Sequence, residues 1–186
     1  GELVGVLGPS GSGKSTMLMA MSGLRPANKG RVQLNGRDLY EEFDDLKHDI
    51  GYVPQDDIVP TALSVQKVLG YAAELRLPDF DRSTREGRVD GVIHTLDLDN
   101  RRHHRVANLS GGQRKRVSIG VELLSRPDVL FADEPTSGLD PALERSLTKT
   151  FRRLTEDGSI VLVTTHVMTS LDLLDSLIVI SKGKIA

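Results

Sequence analysis

The sequence predicts an α/β fold built on a mainly parallel sheet, and three observations carry that prediction. Several short runs, residues 3–7, 129–132, 160–164 and 177–180, are apolar throughout instead of alternating, as expected of strands covered on both faces. Helical periods lie between them: Leu143, Leu147, Phe151 and Leu154 share one face of a segment that opens with Asp140 as N-cap and Pro141 at the first helical position. Strand and helix alternate along most of the chain, which argues α/β and not a bundle or a sandwich.

Taken in order, the first strand (3–7) runs into the glycine-rich turn Gly8–Thr16 and then into a helix through Met17, Leu18 and Met21, methionines that need no role beyond core packing. A more irregular stretch supplies short strands at 31–34 and 50–53, around an exposed acidic helix start at Glu41, Glu42, Asp44 and Asp45. Residues 56–126 carry no strand-like run. They hold two amphipathic patterns, Val65/Val68/Leu69/Ala72 and Val89/Val92/Ile93/Leu96, separated by the breaker Leu77-Pro78-Asp79. The expected organisation is therefore a core of residues 1–55 and 127–186 with a helical subdomain, 56–126, inserted between its strands.

Composition limits the function classes. The chain has 186 residues and a mass of 20.3 kDa, so it should expose about 8,800 Å² when folded against about 29,000 Å² unfolded, enough burial for one core. Hydrophobic residues are 38%, charged residues 27%, and 26 acidic side chains nearly balance 24 basic ones, which argues against disorder and against a polybasic nucleic-acid binder. No apolar run exceeds six residues even with glycine counted, far short of the roughly 20 that cross a bilayer, so a role at a membrane would require a partner. Cysteine is absent, which excludes disulfides and thiolate metal sites and is compatible with a reducing compartment. The first residues enter the strand without a signal-peptide pattern.

Gly8-Pro9-Ser10-Gly11-Ser12-Gly13-Lys14-Ser15-Thr16 fits G-x-x-x-x-G-K-[ST] between an apolar strand and a helix, the context this motif requires. Glycines let successive amides turn toward phosphate oxygens and the helix presents its positive end. Lys14 supplies a point charge near the β and γ phosphates, and Ser15 can ligate Mg²⁺. The ligand class is a nucleoside triphosphate. At the end of the strand 129–132 stand Asp133 and Glu134, whose side chains point in different directions, so one can serve a metal while the other serves a water. The bland alternative, a solvated acidic pair, is disfavoured because α/β ligand sites cluster at strand carboxyl ends.

Leu109-Ser110-Gly111-Gly112-Gln113 precedes another amphipathic helix, with Val117, Val121 and Leu124 on one face. Ser110 and Gln113 have capping-box spacing, but a capping box requires neither glycine, whereas glycines at a helix start let a phosphate approach the amides. Residues 101–116 hold six Lys and Arg and no acid, in a chain of net charge −2. Within that stretch, His103-His104 reads as part of a solvated basic loop.

These elements, with Ser137-Gly138-Leu139-Asp140, His166 and Gln55, resemble in order the Walker A, signature, Walker B, D-loop, H-loop and Q-loop motifs of ATP-binding cassette (ABC) ATPases. The resemblance spans nearly the whole chain and implies a phosphate-loop, RecA-like core of ABC type. It further implies a head-to-tail dimer with a second copy of the domain, sandwiching two ATP. Gly8–Thr16 of one copy would face Ser110–Gln113 and Asp140 of the other, while Ser15, Gln55 and Asp133 serve Mg²⁺ directly or through water. Glu134 would be the general base and His166 the γ-phosphate switch residue. The stretch 114–140 and Val53–Asp57 look like G-type half-transporters and their bacterial relatives, implying an exporter at the cytoplasmic side of the cell membrane. Its transmembrane domain would lie on the same full-length polypeptide, and no nucleic acid is expected. The family's adenine-stacking aromatic lies about two dozen residues before the phosphate loop, whereas only seven residues precede the loop in this sequence. The family likewise usually continues past Ala186, so the piece by itself could be a poor ATPase. Alternatives are a soluble ABC ATPase of translation or DNA repair, and a regulatory module that binds nucleotide without turnover; a small-molecule kinase leaves Ser110–Gln113 unexplained.

Overall fold

The computed structural model describes residues 1–166 and 170–186. Strand β1 (Leu3–Leu7) is followed by helix α1 (Lys14–Met21), a hairpin of β2 (Gln33–Leu34) and β3 (Arg37–Asp38), the short helix α2 (Phe43–Leu46) and strand β4 (Ile50–Val53). Three helices come next, α3 (Val65–Arg76), α4 (Arg82–Thr95) and α5 (Gly111–Leu123). Then follow β5 (Val129–Ala132), α6 (Pro141–Glu156), β6 (Ile160–Thr165), β7 (Ser176–Ser181) and β8 (Lys184–Ile185). The main sheet has the order β4-β5-β6-β1-β7-β8, parallel from β4 to β7, with β8 antiparallel at the edge.

The reason for this architecture lies in which residues need cover. β5 is buried at every position, and its two faces feed two cores. On one face Phe131 packs with Val6, Leu18, Leu162 and Ile180 under α1. On the other, Leu130 and Ala132 join Val53, Val161 and Phe151 of α6 and continue into the helical subdomain through Leu69, Ile93, Leu96, Val117 and Ile119. Gly120 eases that junction: a Cβ there would stand 3.0–3.1 Å from methyls of Leu96, Leu69 and Val92, which would have to give by a few tenths of an ångström for α3 and α4 to close on α5. Side-chain caps set the helix starts, with Ser64 accepting from the Lys67 amide, Asp81 from Thr84, and Asp140 from Ala142 and Leu143. No helix among the described residues is long and apolar enough to cross a membrane.

Three expectations need correction. Residues 177–180 are not covered on both faces, because Ile178 and Ile180 pack under α1 whereas Leu177 and Val179 are 44% and 37% exposed. α6 lies over β6 and β1, leaving that side of β7 open. The strand expected at 31–34 is only Gln33–Leu34, and its partner β3 was not foreseen, although Asn35-Gly36 with φ of 52° and 80° is a strong two-residue hairpin signal. Leu143, expected on the buried face of α6, is 39% exposed.

Candidate functional site

The parallel sheet brings four chain segments to one edge. β1 ends at Gly8, β4 at Pro54-Gln55, β5 at Asp133-Glu134 and β6 at His166, and the register Val53↔Ala132↔Val163 with Leu7↔Thr165 aligns those ends. Carboxyl ends of parallel strands are where α/β proteins bind ligands.

The loop after β1 is tightly built. The Ser12 amide donates to Pro9 O at 3.1 Å, Gly183 N donates to Ser12 O at 2.9 Å, and Gly11 and Gly13 take left-handed φ of 76° and 105°. A Cβ on Gly8 would lie 2.3 Å from Ile180 O, so this position admits only glycine. α1 opens on Gly13 without a side-chain cap and without an acid in its first turn, which leaves its positive end uncompensated by side chains. Lys14 is 4% exposed; its Nζ donates to Gly8 O at 2.9 Å and Pro9 O at 3.2 Å and lies 3.4 Å from Glu134 Oε1. An ammonium held by two carbonyls and one carboxylate is poised for an anion in the loop. Pro9, Ser10 and Gly11 are exposed on the loop surface, Ser15 is half-buried at the helix start and Thr16 is exposed.

Asp133 is buried, and one hydroxyl organises the acidic pair. Thr164 Oγ1 donates to Asp133 Oδ1 at 2.7 Å and accepts from the Glu134 amide at 2.7 Å. Glu134 sits at φ 44°, a left-handed conformation that costs a non-glycine residue about 1–3 kcal/mol and persists only where its surroundings enforce it. Its other oxygen, Oε2, lies 3.4 Å from His166 Nδ1, so the carboxylate bridges Lys14 and His166. The Tyr52 hydroxyl is buried without a hydrogen-bond partner among the described residues, and burial together with the Asp133 charge pushes its pKa up to about 12, keeping it a neutral phenol.

The second glycine-rich helix start is organised differently. Ser110 Oγ accepts from the Gln113 amide at 3.3 Å and Gln113 Oε1 accepts from the Ser110 amide at 3.1 Å, a complete capping box. Gly111 has open space where a Cβ would stand, and Gly112 would make ordinary contact with Leu139 and Leu143 at 3.5 Å. The glycines are thus not demanded by packing within the chain. Asp140 spends its carboxylate on capping α6. Among the described residues no hydrogen bond or ion pair joins Ser110–Gln113 to Gly8–Thr16, so the chain presents two separate anion-ready helix starts.

Gln55 sits just beyond β4, where its carbonyl accepts from Lys115 Nζ at 2.7 Å. Ser15, Gln55 and Asp133 together offer a hydroxyl, an amide oxygen and one carboxylate. That hard-oxygen set suits Mg²⁺, which keeps waters and phosphate oxygens as its remaining ligands. Asp133 uses one oxygen on Thr164, leaving the other for such an ion. No cluster of three His, Cys, Asp or Glu suited to a metal occurs among the described residues.

Reasoning from sequence missed Thr164 and Lys115. The signal for Thr164 was a hydroxyl ending an otherwise apolar strand beside the acidic pair, and for Lys115 a cation one turn before Ile119 on α5.

Comparison with known proteins bears on this geometry. A family model described as "ABC transporter" matches residues 1–137. An ABC transporter ATP-binding/permease protein of Mycobacterium tuberculosis is 45% identical over 184 residues, covering 98% of this chain and 21% of the relative. ABC transporter G family member 16 of Arabidopsis thaliana is 40% identical over 193 residues, covering 98% of this chain and 26% of the relative. The chain therefore spans about a quarter of the length of these relatives. Among solved structures, a dimeric ATP-binding cassette in a post-hydrolysis state bound to ADP and Pi superposes with a TM-score of 0.85 at 27% identity, covering 99% of this chain and 83% of that one.

Proposed function

This chain belongs to the ABC transporter family, and from that premise we propose that it binds and hydrolyses ATP within a head-to-tail dimer whose opening and closing moves a transmembrane domain. The observation that carries the reading is the placement of Glu134, whose backbone is held by Thr164 while its two carboxylate oxygens face Lys14 and His166 at 3.4 Å each. When the triphosphate enters the loop, the Lys14 ammonium turns to the β and γ phosphates, keeping its protons, and frees Glu134 Oε1 for a water. Glu134 takes a proton from that water as the water oxygen bonds to the γ phosphorus and the bond to the ADP oxygen breaks, giving ADP and phosphate. His166 orients Glu134 and reaches the γ-phosphate. Ser15, Asp133 and Gln55 would hold Mg²⁺, which would supply charge neutralisation on the phosphate oxygens.

The open space at Gly111 supports the dimer: a second copy's triphosphate can approach the α5 start at Ser110–Gly112 without meeting a side chain. The dimeric cassette described above favours the same arrangement. A groove of about 670 Å³ beside Gln55, walled by Leu24, Tyr52, Pro54, Ile58 and Val121, suits a helix of the transmembrane domain, since Leu24 and Ile58 stand 57% and 79% exposed on it. The Mycobacterium relative, an ATP-binding/permease protein, is in keeping with that occupant. The resemblance to G family members favours an exporter, with this chain on the cytoplasmic side.

The deciding experiment replaces Glu134 with Gln in the complete protein. ATP binding is expected to persist while hydrolysis falls by about 10²–10⁴, the usual worth of a general base. Retention of wild-type turnover rejects the assignment.

A further inference from the structure

Lys115 is 6% exposed on α5, one turn before Ile119, which is 0% exposed. Its Nζ donates to Gln55 O at 2.7 Å and to Pro54 O at 3.3 Å, and lies 2.8 Å from Asp57 Oδ1 as an ion pair. Burying an ammonium is unfavourable, and an apolar side chain of similar length would serve stability as well or better. A packing role therefore does not call for lysine. What its three contacts share is location, since all fall on the segment that leaves β4 and bears Gln55.

The same helix holds that segment from its other side. Glu122 Oε2 accepts the Tyr52 amide at 3.3 Å, and Glu122 Oε1 pairs with Arg76 of α3 at 2.6 Å. Lys115 and Glu122 lie seven residues apart, two turns along one face: Lys115 binds Gln55 itself and its neighbours Pro54 and Asp57, and Glu122 holds the chain upstream at the Tyr52 amide. The free end of α5 is the Ser110–Gly112 turn.

We propose that Lys115 is a positioning residue that locks the Gln55 segment to α5, so that Gln55 and Ser110–Gly112 move as the two ends of one body. This rests on the function proposed above. There, Gln55 serves the nucleotide in its own copy and Ser110–Gly112 serve the nucleotide of the other copy, so the lock couples the two ATP sites of the dimer. Docking of one triphosphate on the α5 start shifts Gln55 at the second site, and the coupling is carried by two main-chain hydrogen bonds and one ion pair.

The test measures ATP hydrolysis against ATP concentration in the complete protein for wild type, Lys115→Met, Gln55→Ala and the double variant. Wild type is expected to show a Hill coefficient above 1. Lys115→Met should bring it to 1 and lower kcat by about 10- to 100-fold, the usual penalty for losing a group that orients a functional residue. Adding Lys115→Met to Gln55→Ala should change nothing further, because the lock acts through Gln55. Additive effects, or an unchanged Hill coefficient in Lys115→Met, overturn the proposal while leaving the Glu134 assignment intact. If Lys115→Met does not fold by thermal denaturation, Asp57→Asn carries the test: it keeps both carbonyl contacts and must still lower the Hill coefficient, and an unchanged value overturns the proposal. A wild type whose turnover does not depend on Glu134 overturns this inference together with the function it rests on.

Discussion

Both α1 and α5 begin at glycines, yet their ends are finished in opposite ways. At α1 the glycines are required by the chain itself: Gly11 and Gly13 hold left-handed backbone, Gly8 has a carbonyl where a Cβ would go, and no side chain caps the helix. At α5 the backbone is ordinary, Ser110 and Gln113 cap each other, and Gly111 faces open space. A helix start left uncapped inside a closed loop is suited to a ligand bound by its own chain. One that is capped internally but kept clear of side chains is suited to a ligand carried by another molecule.

Exchanging glycine for alanine at each start tests the contrast most strongly. Gly8→Ala forces a methyl against Ile180 O and Ser12 Oγ, and it should destabilise the protein by about 3 kcal/mol in urea unfolding or prevent folding outright. Gly111→Ala should change stability by no more than about 0.5 kcal/mol, as expected of an exposed position, yet lower hydrolysis by the dimer about 100-fold by displacing the incoming phosphate. If both substitutions act through stability alone, the two helix starts do not differ in kind. Next in size is Ser110→Ala, which removes one half of the capping box and should cost about 1 kcal/mol. No equivalent loss is available at α1, because it has no side-chain cap to remove.

The same contrast explains what was legible beforehand. β1 and β5 fall where their apolar runs lie, and the breaker 77–79 separates α3 from α4, since burial on both faces and proline chemistry are written locally. The order of motifs placed Lys14, Asp133, Glu134 and His166 at strand ends, and the sheet register turns that into proximity. Lys115 and Thr164 were not legible because their value depends on what faces them: a buried lysine reads as an error until Gln55 O and Asp57 are found opposite. The exposure of Leu177 and Val179 was hidden for the same reason, as an apolar run does not say how far α6 extends over it.

The smallest effect is expected at the far end of α5, where Glu122 anchors the helix to β4 and α3. Burial raises its pKa above the ordinary 4.5, and the Arg76 charge and the Tyr52 amide only partly oppose that shift. The folded protein therefore holds this proton to a higher pH than the unfolded chain does. Its contribution to stability is complete below 4.5 and is lost as pH rises through the raised folded value. Glu122→Gln keeps an acceptor for the Tyr52 amide and removes the titration, so stability measured by urea unfolding should fall with rising pH in wild type relative to the variant. A difference that grows in favour of wild type as pH rises would mean that the Arg76 pair outweighs burial. α5 would then be fastened electrostatically at both Lys115 and Glu122, two turns apart along the helix, whereas α1 carries its ion pair at its first residue, Lys14.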